Sequence, residues 1–195
     1  MKIKDIFSKE FVIEDLKAKN KHDALVELSA AFIRNQENFD HDSVVDVLMA
    51  RESLGSTGIG DGIAIPHGKH KDLQRLVISF GRSKKGVDFN AMDGKPAHLF
   101  FLLMAPEKST GQHLKVLAKI SRMLKDSKFR ENLMEAKTAD DLCRMIAERE
   151  DACSMNGRGY SHSEDYRHET LKIRFSHFKQ SGLTTHSCNH QELYM

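Results

Sequence analysis

Apolar positions recur along this chain at two different periods, and the switches between them mark out its elements. Over residues 21–35, Leu25, Leu28 and Phe32 return at helical spacing with Ala24 and Ala31 beside them, which predicts an amphipathic helix. Asn20 stands before it as an N-cap, and Asp23, three residues on, supplies the acidic half of a capping box. A second helix, opened by Asp40 or Asp42, has an inner stripe of Val44, Val47 and Leu48 that Arg51 continues. Basic residues suit helix C-termini, yet this one faces inward and calls for an anionic partner. Strand candidates are shorter. They are an imperfect alternation over 11–16, the β-branched run Ile63-Ala64-Ile65, residues 76–80, and the strongly apolar 99–104. Turn chemistry at 84–86 and 92–95 separates the last two.

Ala105-Pro106 ends the last strand, and Ser109 with Gln112 matches the S-x-x-Q capping box of a following helix. Leu114, Leu117, Ser121 and Leu124 mark the face that this helix is expected to bury. Two shorter helices follow, one over 127–136 and one opened by Thr138 with Asp141 at its third position. Strands early and in the middle, with helices between and after, predict a single α/β domain, a mixed β-sheet flanked by helices, over residues 1–149. From Glu150 the pattern changes. Residues 150–195 carry five of the eleven histidines and two of the three cysteines, and only one apolar alternation, Leu171, Ile173 and Phe175. A poorly ordered C-terminal extension of unknown role is expected there. A metal-binding tail on His186, Cys188 and His190 is the alternative, although the spacing matches no zinc pattern.

Composition narrows the function classes. The formal charge of +2 gives no basic footprint for nucleic acid. No apolar run approaches the ~18 residues of a membrane span, and the N-terminus MKIKDIFSKEF lacks a signal core. Three cysteines without paired spacing do not make a disulfide scaffold. A soluble cytoplasmic protein, without membrane insertion, is the expectation.

Chemistry concentrates in RESLGSTGIGDGIAIPHGKH, residues 51–70. Gly55, Gly58, Gly60 and Gly62 interrupt its first half, the short strand stops at Pro66 and Gly68 follows, so His67 is expected on a stiff, uncrowded corner. Taken alone, the string also fits a glycine-rich turn with an incidental surface histidine. His113, in the first turn of the capped helix, stands where backbone N–H groups and the helix dipole favour anions. Arg51 can fork onto oxyanions. Two imidazoles and a guanidinium around an anion site suit phosphoryl transfer to and from histidine.

At these residues the chain resembles a known family. RESLGSTGIGDGIAIPHGKH, with GQHLKVLAKIS around His113, is similar to the enzyme IIA domain of the fructose–mannitol class of the bacterial phosphoenolpyruvate-dependent phosphotransferase system, its stand-alone nitrogen-regulatory members included. The resemblance covers roughly residues 1–149. It implies that His67 is the phosphorylated residue, His113 the second active-site histidine and Arg51 the active-site arginine. The implied donor is a phosphohistidine on an HPr-like carrier, and the acceptor is an enzyme IIB or a regulatory target. No nucleotide and no metal cofactor is then required, and the chain has no G-x-x-x-x-G-K-[ST]. The stand-alone format leans towards a regulatory role. A metal-dependent hydrolase or metal-binding protein using His67, His70 and His113 is the reading from another class, weakened by the lack of a carboxylate at fixed spacing.

Overall fold

The most apolar run of the chain becomes the middle of a sheet. In the computed structural model, which describes residues 2–34, 39–109 and 111–156, six strands form: β1 Phe7–Ile13, β2 Gly58–Gly60, β3 Ile63–Ala64, β4 His67–His70, β5 Val77–Val87 and β6 Ala97–Pro106. Their order is β1-β5-β6-β3-β2, with β4 also paired to β6. β1 runs parallel to β5, β5 antiparallel to β6, and both β3 and β4 parallel to β6. Buried on both faces, β6 needs no polar alternation, which explains its continuous Leu/Phe composition.

Five helices cover the two faces: α1 Lys21–Ile33, α2 His41–Ser53, α3 Gln112–Leu124, α4 Ser127–Glu135 and α5 Ala139–Asn156. On one face Leu25, Leu28 and Phe32 of α1 and Val44 and Leu48 of α2 pack on Phe100, Leu102 and Met104. On the other, Ile120 and Met123 of α3, Leu133 of α4 and Leu142 of α5 pack on Phe80, Phe101 and Leu103. The expected α/β domain with a mixed sheet between helices is the one observed. Its N-caps hold as well: Asn20 Oδ1 accepts the Asp23 N–H at 2.9 Å, and Thr138 Oγ1 accepts the Asp141 N–H at 3.1 Å, although the Asp23 carboxylate accepts from the Asn20 side-chain amide and not from its backbone N–H as a capping box would. Asp40, rather than Asp42, caps α2.

Four expectations are corrected. The residues expected to turn at 84–86 lie inside β5, where Gly86 (φ +82°) and a register shift between Arg82 and Val87 form a bulge without breaking the strand. β5 persists because Arg82, 1% exposed, is buried beneath the domain. Its guanidinium donates to the carbonyls of Glu14, Leu133, Met134 and Ala136, and so satisfies the C-terminal end of α4. The S-x-x-Q box does not form: α3 begins at Gln112 behind Gly111 (φ +72°), with no side-chain cap. The buried stripe of α3 is Val116, Ile120 and Met123 together with Leu124, while Leu114 stays 48% exposed. Finally, α5 continues through Arg149 to Asn156, so the compositional boundary falls within a helix. Glu150 is 2% exposed; its two oxygens each lie 2.7 Å from the Ile3 N–H, and Lys119 Nζ is 3.1 Å away. The readings made of Leu171, Ile173 and Phe175 and of His186, Cys188 and His190 lie outside the described residues.

Candidate active site

β3 ends at Ala64, two residues ahead of Pro66, but the chain does not leave the sheet there. After Ile65 and Pro66 it rejoins the same neighbour as β4, with His67 opposite Leu103 and His70 opposite Pro106. Proline has no N–H to lose at such a break, and its carbonyl accepts the Leu103 N–H at 2.9 Å. His67 is therefore a strand residue rather than a corner residue, fixed to the most buried strand of the domain. Gly68 faces α2: a Cβ there would lie 2.9 Å from Val47 Cγ1 and 3.3 Å from Met104 Sδ. The absence of a side chain lets α2 lie directly on β4, which brings Arg51, one turn beyond Val47, beside the His67 ring.

The ring's protonation follows from its partners. Nδ1 lies 2.9 Å from the Ile65 carbonyl, which can only accept, so Nδ1 carries the hydrogen. Nε2 lies 3.2 Å from Arg51 Nε, which can only donate, so Nε2 presents a lone pair. Arg51 Nη1 donates to the Gly55 carbonyl at 3.0 Å. The expected anionic partner of Arg51 is thus replaced by a ring nitrogen and a carbonyl oxygen; among the described residues Arg51 has no ion pair, and its charge faces a pocket of about 250 Å³. Val47, Arg51, His67, Lys69, Leu103 and His113 line that pocket. Burial, and secondarily the Arg51 charge, hold the His67 pKa below its usual value, against the Ile65 hydrogen bond, which raises it. His113 is lowered too, by burial first and then by Lys69. Both rings are accordingly biased towards the neutral form in a site rich in fixed positive charge.

His70 does not join them. It is 3% exposed, with Nε2 3.0 Å from Ser43 Oγ at the start of α2 and Nδ1 accepting the Asp72 N–H at 3.3 Å. Among the described residues no group of three metal-ligating side chains converges. The three-histidine metal reading therefore finds no support.

Sequence reasoning missed the residue next to Arg51. Glu52 is 6% exposed; its carboxylate accepts the Thr57 N–H at 3.2 Å and the Thr57 hydroxyl, and pairs with Lys21 Nζ at 3.0 Å. Lys21 also stands 5.2 Å above the Phe89 ring. A signal was present, since Glu52 lies four residues beyond Leu48, where the apolar stripe of α2 would put another apolar side chain.

The family model described as "Phosphoenolpyruvate-dependent sugar phosphotransferase system, EIIA 2" matches residues 5–149. The chain belongs to this family. Among EIIA relatives, it is 39% identical over 149 residues to the nitrogen regulatory protein of Bradyrhizobium diazoefficiens, a match covering 75% of this chain and 95% of that protein. It is 36% identical to the fructose-specific EIIABC component of Bacillus subtilis over 75% of this chain, but spans only 23% of that longer protein. The crystal structure of the nitrogen regulatory protein IIA-Ntr from Neisseria meningitidis has the same EIIA fold, with a TM-score of 0.69 and 35% identity over 74% of this chain and 98% of that one. Among the described residues no helix is long and apolar enough to cross a membrane.

Proposed function

We propose that this EIIA protein accepts a phosphoryl group on Nε2 of His67 from the phosphohistidine of an HPr-like carrier. The single observation that carries the reading is the hydrogen-bonding state of that ring. Nδ1–H is tied to Ile65, and the nucleophilic lone pair is aimed at a pocket flanked by Arg51 and His113. No general base is needed, because a neutral imidazole is already the nucleophile. Nε2 forms a bond to phosphorus as the donor's P–N bond breaks and its electron pair returns to the donor ring. That ring leaves as a neutral imidazole, its other nitrogen still protonated. Arg51 Nε–H must first release Nε2; the guanidinium then turns onto the phosphoryl oxygens, where each charge-assisted hydrogen bond is worth roughly 1.5–3 kcal/mol. The Ile65 carbonyl stabilises the protonated ring of phosphorylated His67. That form has the better leaving group, which keeps the new bond transferable.

Onward transfer goes to an enzyme IIB, or the phosphorylation state is read by a regulatory target. The near full-length likeness to nitrogen regulatory proteins favours the second. Incubation with phosphoenolpyruvate, enzyme I and a panel of HPr-like carriers, followed by intact mass, tests the reading. One acid-labile, base-stable phosphoryl group is expected, with its phosphorus resonance assigned to Nε2 of His67 and no adduct on His67→Ala. An acid-stable adduct, or normal labelling of His67→Ala, refutes it.

A further inference from the structure

Arg51 and His67 are each held by a backbone carbonyl, and both carbonyls lead back to one side chain. Gly55, whose carbonyl accepts from Arg51, lies in the link between α2 and β2, two residues before Thr57. Thr57 is 5% exposed, and both its N–H and its hydroxyl are bound by the Glu52 carboxylate. The Thr57 carbonyl in turn accepts the Ile65 N–H at 3.0 Å, and it is the Ile65 carbonyl that holds His67 Nδ1–H at 2.9 Å. The Gly55 N–H closes the inner turn on the Glu52 carbonyl at 3.0 Å. One carboxylate, anchored from behind by Lys21, therefore stands at the root of two arms, one ending on the guanidinium and one on the imidazole.

We propose that Glu52, acting through Thr57, is the positioning residue of this site: it fixes the Gly55 carbonyl that aims Arg51 and the Ile65 carbonyl that selects the Nδ1–H form of His67. Glu52 does not touch the transferred group. Its carboxylate is fully occupied by Thr57 and Lys21, and its side chain is only 3% exposed, so it is out of reach of a partner protein. A buried charge-assisted network of this kind loses geometry when a single donor is removed, because the remaining partners must re-pair. The Glu52 negative charge also opposes the effect of Arg51 on the His67 titration, so both arms report on the same ring.

The kinetic half of the test rests on the phosphoryl-acceptor reading above, and the spectroscopic half does not. In full-length protein labelled with 15N-histidine, His67 is expected as a single Nδ1–H species. Thr57→Val, which removes the hydroxyl at nearly constant volume, should shift it towards a mixture of the two neutral forms. The same change should lower the maximal rate of phosphoryl acceptance at least tenfold, with the KM for the HPr-like carrier within twofold of wild type. Thr57→Ser should restore both. A Thr57→Val protein with wild-type ring resonances and rate overturns the proposal, as does a Thr57→Ser protein equally impaired, or a loss expressed mainly in KM. If circular dichroism shows that Thr57→Val does not fold, Glu52→Gln is read in the same two assays. It weakens the same bonds without shortening the side chain; the same shift and rate loss support the proposal, and wild-type behaviour overturns it. Failure of wild-type protein to take phosphoryl on His67 would sink the function proposed above, while the ring spectra would still decide the role of Glu52.

Discussion

Gly68→Ala joins packing to chemistry in one substitution. Its new Cβ would meet Val47 Cγ1 at 2.9 Å, Met104 Sδ at 3.3 Å and Leu48 Cδ2 at 3.5 Å. Methionine sulfur can yield, but Val47 is β-branched, sits in a helix and has almost no rotamer freedom. Relief therefore comes from α2 moving off β4 by several tenths of an ångström. Overpacking of this kind costs roughly 1–3 kcal/mol, which for a domain of this size lowers the melting temperature by about 2–4 °C per kcal/mol. The chemical effect should be larger. Arg51 lies one turn beyond Val47 and meets His67 Nε2 at 3.2 Å; misplacing such a group by about 1 Å is worth up to ~100-fold in rate. A smaller shift should give a loss on the order of tenfold in phosphoryl acceptance. The compensating pair Gly68→Ala with Val47→Ala removes the obstructing methyl and should recover most of both losses, a coupling that a double-mutant cycle measures. Wild-type melting and rate in Gly68→Ala would show that α2 is not seated on β4 as described. A double variant no better than the single one would show that Val47 is not the obstruction.

Cutting the chain after Asn156 should leave the melting temperature within error, whereas cutting after Arg149 removes Glu150 from Ile3 and Lys119 and should cost roughly 1.5–3 kcal/mol in a urea titration; equal stability of the two truncations would refute this. In Arg51→Ala the His67 pKa should rise, since a positive neighbour and a hydrogen bond to the neutral form are both lost, and an unchanged or lower value by NMR titration would contradict the geometry. Because the native pKa of His67 lies below the unfolded value of about 6.5, the unfolded chain takes up its proton first on acidification. That contribution costs native stability as pH falls through about 6.5 and levels off below the native pKa; comparison of urea midpoints at pH 7.5 and 5 should show a smaller acid loss in Arg51→Ala. Phosphorylation of His67 should raise the His113 pKa by placing a dianion in the pocket the two rings share, and a His113 titration that ignores phosphorylation would remove it from the site.

What could be read from sequence was whatever is decided within a turn or two of chain. The Asn20–Asp23 and Thr138–Asp141 caps are local hydrogen-bond chemistry, and β6 announces itself because a strand buried on both faces must be apolar throughout. β4 was invisible for the opposite reason: His67-Gly68-Lys69-His70 has no strand pattern and is extended only because β6 is there to pair with it. The outer half of β5 hid behind Lys84, Lys85 and Gly86, since nothing local reveals that Arg82 will find four carbonyls from two distant segments. On α3 two apolar rows overlap, and only the packing of Val116 and Ile120 against the sheet decides which is inside. In the site, Arg51, His67 and His113 could be nominated by type and spacing, but the support from Glu52 and Thr57 depends on a loop closing back on its helix.

The two-residue break at Ile65-Pro66 has a consequence for how the protein breathes. Opening and reclosing of small segments in a folded protein is graded, with loops and termini far easier to release than central strands. Because the Pro66 carbonyl is bonded to the Leu103 amide and His67 lies in register with Leu103 itself, the backbone of His67 is fastened to the central, most buried strand, the kind of element that opens last. The Leu103 amide should exchange with solvent deuterium only as fast as the whole domain unfolds. Fluctuations at Gly55 that release the guanidinium, with Thr57 still held by Glu52, can therefore re-aim Arg51 while the His67 backbone stays paired to β6. Donor and acceptor proteins, arriving at different times, would then meet the same stationary nitrogen.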